Sequence, residues 1–64
     1  MATNTRLKVV RVLKGLTQLK LAEKVGVKEI DISRFEIGRI SPTGAVLQRI
    51  AAVLQKPTFE LFES

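Results

Sequence analysis

Apolar residues recur at helical spacing in five short segments of the chain, and polar or helix-breaking residues separate these segments. Leu21, Ala22 and Val25 form one apolar stripe, and Ile32 and Phe35 form the next. Residues three or four positions apart share one face of an α-helix, so each stripe predicts an amphipathic helix. No segment alternates at the period of two that is typical of a β-strand. The pattern predicts a compact all-α domain, with helices at about residues 5–14, 18–25, 29–37, 44–54 and 58–62.

Residues typical of helix ends stand at the ends of these segments. Asn4, Thr17 and Thr43 each precede a segment, where a side-chain oxygen can accept a hydrogen bond from an unpaired amide of the first turn. Thr58 is predicted to cap the last segment in the same way. Gly26 follows the second segment, where a helix C-terminus favours a residue that tolerates positive φ. These residues set the boundaries of the predicted helices.

The second and third predicted helices are short and are joined by a turn that contains Gly26. Two helices of this length, connected by three or four residues with a glycine, form a helix-turn-helix. In such a motif one exposed helix can enter the major groove of DNA. Residues 17–38 therefore predict a DNA-binding element in which the third helix contacts the bases.

The composition excludes several other classes of function. The chain has 64 residues, 45% of them hydrophobic, which allows one small core. It contains neither cysteine nor histidine, so we expect no metal, no cofactor and no enzymatic activity. No apolar run approaches the ~20 residues that cross a bilayer, and the first residues lack the apolar segment of a signal peptide. We expect a soluble cytoplasmic protein without a small-molecule ligand.

Positive charge is concentrated in the first half of the chain. The formal net charge is +5; residues 1–28 carry seven basic side chains against one acidic one, whereas residues 29–64 carry four basic and five acidic ones. Such a positive field favours a polyanionic partner, of which DNA is the commonest. Charge alone is equally compatible with a small protein that is basic for solubility.

Several short motifs follow one another in a fixed order. They are Leu16-Thr17-Gln18, Leu21-Ala22-Glu23-Lys24-Val25-Gly26-Val27, Ile32-Ser33-Arg34, Glu36-x-Gly38, Pro42, and Leu47…Ile50-Ala51…Leu54…Leu61-Phe62. From about Leu7 to Phe62 the chain resembles the Cro/C1-type helix-turn-helix domain, also called the XRE family. Members of this family are phage repressors and their bacterial relatives. The resemblance implies a sequence-specific, repressor-like transcription regulator that binds double-stranded DNA at a pseudo-palindromic operator as a homodimer.

Helical spacing divides the third helix into two faces. Ile32, Phe35 and Glu36 share the inner face, which is expected to pack on the first two helices. The resemblance implies that N-terminal residues on the outer side of this helix contact base edges. In this chain those residues are Glu29, Ile30, Ser33 and Arg34.

The side chains of this outer face offer different chemistry. Arg34 can donate two hydrogen bonds to O6 and N7 of guanine, although a solvated surface arginine is the alternative. Ile30 can cover the methyl group of thymine, or it can contact a partner protein. Glu29 can accept a hydrogen bond from N4 of cytosine or favour the positive end of its helix. For the neighbouring Asp31 we expect the structural role, which is a favourable interaction with the positive end of its helix.

Contacts to DNA phosphates are expected from helix N-termini and flanking polar or basic groups. The candidates are Gln18, Lys28, Arg39, Thr43 and Arg6. Gln18 occupies the position where the resembling family uses a glutamine to hold the DNA backbone. Lys28 stands where that family usually has a serine or threonine cap, and a phosphate contact would replace the lost cap.

Two further groups are expected to have structural roles. In the resembling family, the positions of Arg11 and Glu36 form a buried ion pair between the first and third helices. The C-terminal Phe59, Leu61 and Phe62 are large side chains on one short turn, and they cannot all face inward. An exposed apolar patch at this end suggests a self-complementary dimer interface.

Two other functions are possible for a small helical chain. The first is a protein-interaction module, similar to an antitoxin or a coactivator, that would use Ile30, Ile37 and Ile40 against a partner. Salt distinguishes the two functions, because phosphate contacts make affinity strongly salt-dependent whereas an apolar interface does not. The second is a small enzyme, for which the chain offers no convergent acid–base pair.

Overall fold

The structure is a computed structural model that describes residues 5–62. Five helices account for most of these residues. They are α1 (Thr5–Leu13), α2 (Gln18–Val25), α3 (Glu29–Glu36), α4 (Gly44–Leu54) and α5 (Thr58–Leu61). Each helix begins at the residue that the sequence pattern predicts. Three of the helices, α1, α3 and α5, end one residue before the predicted end. No strand occurs in the described part of the chain, and the predicted all-α fold is confirmed.

Side-chain caps begin α2 and α4 at the predicted residues. Oγ1 of Thr17 accepts a hydrogen bond from the amide of Lys20 at 3.0 Å, and Oγ1 of Thr43 accepts one from the amide of Val46 at 3.4 Å. Gly26 ends α2 with a φ of 89°, a left-handed conformation that side chains with a Cβ atom rarely adopt. Local hydrogen bonding therefore fixes both ends of α2.

The start of α5 differs from the prediction. Pro57 is the N-cap residue, and Thr58 is already the first helical residue, so the predicted capping role of Thr58 is wrong. Proline fixes φ near the value found here, −65°, which sets the entry into the helix without a side-chain hydrogen bond. The predicted cap of α1, Asn4, lies outside the described residues.

The core lies among the inner faces of the five helices. α2 contacts both α3 and α4, and α5 contacts α1 and α4. The buried apolar side chains are Leu7, Leu21, Ala22, Val25, Ile32, Phe35, Ile50, Ala51, Leu54 and Leu61. Each large side chain among them stabilises the fold by roughly 1.5–3 kcal/mol when fully buried. α3 contributes only one of its faces to this core, and its other face remains accessible.

A buried ion pair joins α1 to α3. Nε of Arg11 lies 2.6 Å from Oε2 of Glu36, and Nη2 of Arg11 lies 3.3 Å from Oε1 of the same carboxylate. Nη1 of Arg11 donates to the carbonyl oxygen of Leu16 at 2.7 Å, and Nε2 of Gln18 donates to Oε1 of Glu36 at 2.9 Å. Among the described residues no buried polar side-chain atom lacks a partner. Both charges are therefore paired and hydrogen-bonded, in the arrangement that the family resemblance implies.

This network connects four parts of the chain: α1 through Arg11, the following loop through Leu16, α2 through Gln18 and α3 through Glu36. A buried charge that loses its partner is strongly destabilising. Movement of α3 relative to α1 would separate these charges, so the network holds α3 in one position and rotation.

We predict that Arg11→Ala lowers the free energy of unfolding by about 3 kcal/mol, because it leaves the Glu36 carboxylate buried without its countercharge. Denaturant unfolding followed by circular dichroism measures this change. Lys20→Ala is the matched control, since Nζ of Lys20 lies 3.8 Å from Oε1 of Glu23 in an exposed pair. An exposed pair is worth about 0–1 kcal/mol. Equal losses in the two variants would contradict the structural role given to Arg11.

Candidate nucleic-acid interface

The two faces of α3 separate as the helical spacing predicts. Ile32, Phe35 and Glu36 are buried against the rest of the domain. On the other side, the side chain of Ile30 is 50% exposed and that of Arg34 is also exposed. The outer face of α3 therefore carries an isoleucine and an arginine one helical turn apart.

The structure brings the four predicted base-contact residues onto one surface of α3. Glu29, Ile30 and Arg34 are exposed, and Ser33 is half-buried. Ser33 lies four positions after Glu29, and Arg34 lies four positions after Ile30. Residues four positions apart are neighbours on one face of a helix, so the members of each pair lie next to each other. The surface thus combines a carboxylate, a branched apolar group, a hydroxyl and a guanidinium.

The first turn of α3 is capped by an acidic side chain instead of by its N-cap residue. Lys28 has the extended backbone of an N-cap, with φ −84° and ψ 151°, but its side chain makes no capping hydrogen bond. The amide of Lys28 instead donates to Oδ2 of Asp31 at 3.3 Å. A carboxylate at this place also interacts favourably with the positive end of the helix. Asp31 therefore has a structural role, and the Lys28 ammonium is left exposed.

Four of the five phosphate-contact candidates lie on the helix-turn-helix or on the loop that follows it. Gln18 is the first residue of α2, Lys28 precedes α3, Arg39 follows α3, and Thr43 precedes α4. The hydroxyl of Thr43 accepts a hydrogen bond from its own helix and keeps its proton for donation. Lys28 and Arg39 are exposed. These four candidates therefore lie at the ends of α2, α3 and α4, within or next to the helix-turn-helix along the chain.

Arg6 does not belong to this group. Its Nη1 atom donates to the carbonyl oxygen of Phe59 at 3.5 Å, which places the guanidinium beside α5. The sequence prediction of a phosphate contact rested on the charge of α1 alone, and charge does not indicate which neighbour a long side chain meets. Arg6 therefore lies apart from the other four candidates, and its phosphate contact stays a prediction.

The predicted dimer-interface residues have different surroundings. Leu61 has no exposed surface, because its side chain completes the core, so its assignment to an interface is wrong. Phe62 is half-buried and packs against the same core. Phe59 is 72% exposed and is the one of the three that projects from the domain.

Sequence reasoning missed two features near the candidate interface. The first is the hydrogen bond from Gln18 to Glu36, which depends on the approach of α2 to the end of α3 and has no local signal. The second is an exposed apolar stripe on α1 that contains Val9 and Leu13. Its spacing of four residues was visible in the sequence as a second apolar face beside the buried Leu7.

The fold and the exposed face of α3 define a helix-turn-helix protein. A family model described as helix-turn-helix matches residues 7–61. The chain belongs to this family, of the Cro/C1 (XRE) type, and is a DNA-binding transcription regulator by class. None of the helices in residues 5–62 is long and apolar enough to span a membrane.

Two solved structures are similar to this chain. The restriction-modification controller protein C.AhdI from Aeromonas hydrophila is 29% identical, with a TM-score of 0.84 over 92% of this chain and 89% of that one. PlcR from Bacillus thuringiensis, solved in complex with the peptide PapR7 and DNA, is 39% identical, with a TM-score of 0.83. That match covers 97% of this chain but only 22% of PlcR. No match to a curated protein is found.

We predict that Lys28→Thr raises the free energy of unfolding by about 1 kcal/mol, because a threonine hydroxyl at this N-cap can accept an amide hydrogen bond. The backbone at Lys28 already resembles that at Thr17, which has φ −76° and ψ 166° and does cap its helix. Thermal unfolding measures the change. Lys28→Ala is the control and should show no gain; a gain of equal size would mean that removal of the charge, and not a new cap, stabilises the protein.

Proposed function

We propose that this chain is a sequence-specific, repressor-like transcription regulator that binds a pseudo-palindromic DNA operator as a homodimer. One observation carries the proposal: the outer face of α3 is accessible while its inner face is anchored by the Arg11–Glu36 ion pair. A helix held in this way can enter the major groove of DNA without rearrangement of the domain. Occupancy of the operator would then be the means of regulation.

The side chains of α3 have the chemistry for direct contacts with bases. Arg34 can donate two parallel hydrogen bonds to O6 and N7 of guanine. Ile30 is half exposed, and a thymine methyl group would remove it from water. Glu29 can accept from N4 of cytosine, and Ser33 can donate or accept. These four residues are the proposed base contacts.

The proposed phosphate contacts surround this face. Gln18 donates one of its two amide protons to Glu36, so the other remains to reach a phosphate from a fixed position. Lys28 contributes an exposed ammonium at the start of α3, while Arg39 and Thr43 would hold the backbone on the far side of the groove. Such contacts position the domain on DNA but do not select a sequence.

A dimer would place two α3 helices on neighbouring turns of the duplex. Half-sites of a pseudo-palindrome are then separated by one helical turn, about 34 Å. PlcR, which is similar to this chain over 22% of its own length, was solved in complex with DNA, and this supports the proposal of a DNA-bound state for this chain. A regulator of this kind acts where chromosomal DNA is present, and we propose a cytoplasmic location.

A second candidate function rests on a specific observation. Ile30, Ile37 and Ile40 are 50%, 48% and 42% exposed, so the end of α3 and the following loop present more apolar surface than a purely polar DNA contact needs. A protein-interaction module would cover these side chains with a partner. Its affinity would change little with salt, whereas release of counterions from DNA gives a log–log slope of about −0.9 per phosphate neutralised.

We predict that Arg34→Ala and Gln18→Ala weaken DNA binding in different ways. Arg34→Ala should cost roughly 1–3 kcal/mol at one base pair of the operator and relax the preference there, because it removes a base contact. Gln18→Ala should weaken all duplexes by a similar factor, because it removes a backbone contact. Fluorescence anisotropy on an operator selected from random duplexes, and on each of its single-base variants, measures both effects.

Lys14→Ala is the matched control for loss of charge. Nζ of Lys14 lies 3.4 Å from Oε1 of Gln55 at the end of α4, away from the proposed contacts. Its replacement should leave the sequence preference unchanged. The proposal is overturned if the wild-type chain shows no preference among duplexes, or if Arg34→Ala lowers affinity for every sequence equally, as Gln18→Ala does.

A further inference from the structure

Two consecutive residues at the start of α3 differ in chemical character, and both are exposed. Glu29 presents a carboxylate, and Ile30 presents a branched apolar group. Ile30 is 50% exposed, whereas Ile32 and Phe35 of the same helix are buried. An acceptor next to an apolar side chain favours a ligand that has a hydrogen-bond donor next to an apolar group.

The carboxylate of Glu29 is not needed to cap its helix. That role belongs to Asp31, whose Oδ2 atom accepts a hydrogen bond from the amide of Lys28 at 3.3 Å. Within the described residues, the side chain of Glu29 has no hydrogen-bond or ion-pair partner. Its negative charge suits the first turn of a helix, and both of its oxygen atoms remain available to accept hydrogen bonds from a ligand.

None of the four unmodified bases satisfies both side chains in the major groove. Cytosine and adenine present an amino group from which Glu29 can accept a hydrogen bond, but neither base carries a methyl group. Thymine carries a methyl group, but it presents the acceptor O4, which a carboxylate repels. Cytosine would therefore leave Ile30 in water, and thymine would place an acceptor opposite Glu29.

5-Methylcytosine combines the two features on one base. Methylation at C5 leaves the N4 amino group of cytosine in place and adds the methyl group that thymine has. The amino and methyl groups are attached to adjacent ring atoms on the same edge, so two consecutive side chains can contact them together. Arg34 lies one helical turn after Ile30, from where its long side chain can reach a guanine in the neighbouring base pair.

We propose that α3 recognises 5-methylcytosine next to guanine, so that binding of DNA by this chain responds to cytosine methylation. Glu29 accepts a hydrogen bond from N4, Ile30 covers the C5-methyl group, and Arg34 donates to the neighbouring guanine. Glu29 also contributes by exclusion, because it repels bases that present an acceptor at this place. This inference rests on the proposed function, in which α3 contacts bases, and it names the base chemistry that α3 prefers.

Fluorescence anisotropy of the full chain on an operator selected from random duplexes tests the proposal. Single-base variants of the operator, bound by wild type and by Ile30→Ala, first identify the base pair whose preference depends on Ile30. Duplexes with cytosine, 5-methylcytosine, thymine or uracil at that position are then compared. Each methyl group should raise the affinity of the wild type about fourfold, the factor that corresponds to burial of one methyl-sized group. 5-Methylcytosine should bind about fivefold or more tightly than thymine, because only 5-methylcytosine donates to Glu29.

Three variants assign these two preferences to individual side chains. Ile30→Ala should lose the gain from each methyl group, whereas Glu29→Gln should keep that gain and lose most of the preference for 5-methylcytosine over thymine. Val12→Ala is the matched control, because Val12 is a branched apolar residue on α1 with a similar exposure, 56%. Its ratios should equal those of the wild type. Each ratio compares duplexes bound by the same variant, so a change in overall affinity or stability cancels.

The proposal is overturned if 5-methylcytosine binds no more tightly than cytosine, or if no base pair depends on Ile30. It is also overturned if Val12→Ala loses the gain from methylation as Ile30→Ala does. A wild-type chain that selects its operator but does not respond to methylation contradicts this inference alone. A wild-type chain without any preference among duplexes contradicts the proposed function as well.

Discussion

The buried contact between Arg11 and Glu36 is the interaction on which the arrangement of the helix-turn-helix depends. Removing two charges from water is costly, and their attraction offsets that cost only when the remaining hydrogen-bonding groups are also satisfied. Here the guanidinium donates to both carboxylate oxygens and to the carbonyl oxygen of Leu16, and the amide of Gln18 completes the set. Alternative packings that separate these groups would leave a charge buried alone, so the pair selects one position of α3.

The accessible face of α3 is a consequence of this anchor. Glu36 lies on the inner face at the C-terminal end of the helix, and Ile32 and Phe35 extend that face into the core. With these three residues turned inward, Ile30 and Arg34 must point outward. The same carboxylate orients Gln18 at the start of α2, so one group fixes both the proposed backbone contact and the helix of the proposed base contacts. A rigid scaffold of this kind removes the cost of ordering the backbone at the moment of binding and leaves only the cost of ordering the side chains.

The parts of the fold that depend on local interactions could be predicted from the sequence. Thr17, Gly26 and Thr43 act within one helical turn of themselves, so the boundaries of α2 and α4 followed from residue type and spacing. The two faces of α3 followed from periodicity in the same way. The pairing of Arg11 with Glu36 was expected only from the family resemblance, since residues 25 positions apart in sequence give no local signal.

Predictions that required knowledge of tertiary neighbours were less successful. The burial of Leu61 depends on how α5 packs against α1 and α4, and a turn with three large residues does not indicate which one faces inward. Arg6 was assigned from its charge, and charge did not indicate that its Nη1 atom lies beside the carbonyl oxygen of Phe59. The first turn of α3 is an intermediate case, because the carboxylate of Asp31 provides the cap that Lys28 cannot.

The central claim is that the outer face of α3, held by the buried ion pair, is the surface that meets DNA. The most direct test is nuclear magnetic resonance of the ¹⁵N-labelled chain during titration with a half-site duplex. The account predicts the largest amide shift changes at Gln18, from Lys28 to Arg34, and from Gly38 to Thr43, with small changes along α1 and α5. Changes concentrated on α1 and α5, or no change with any duplex, would contradict it.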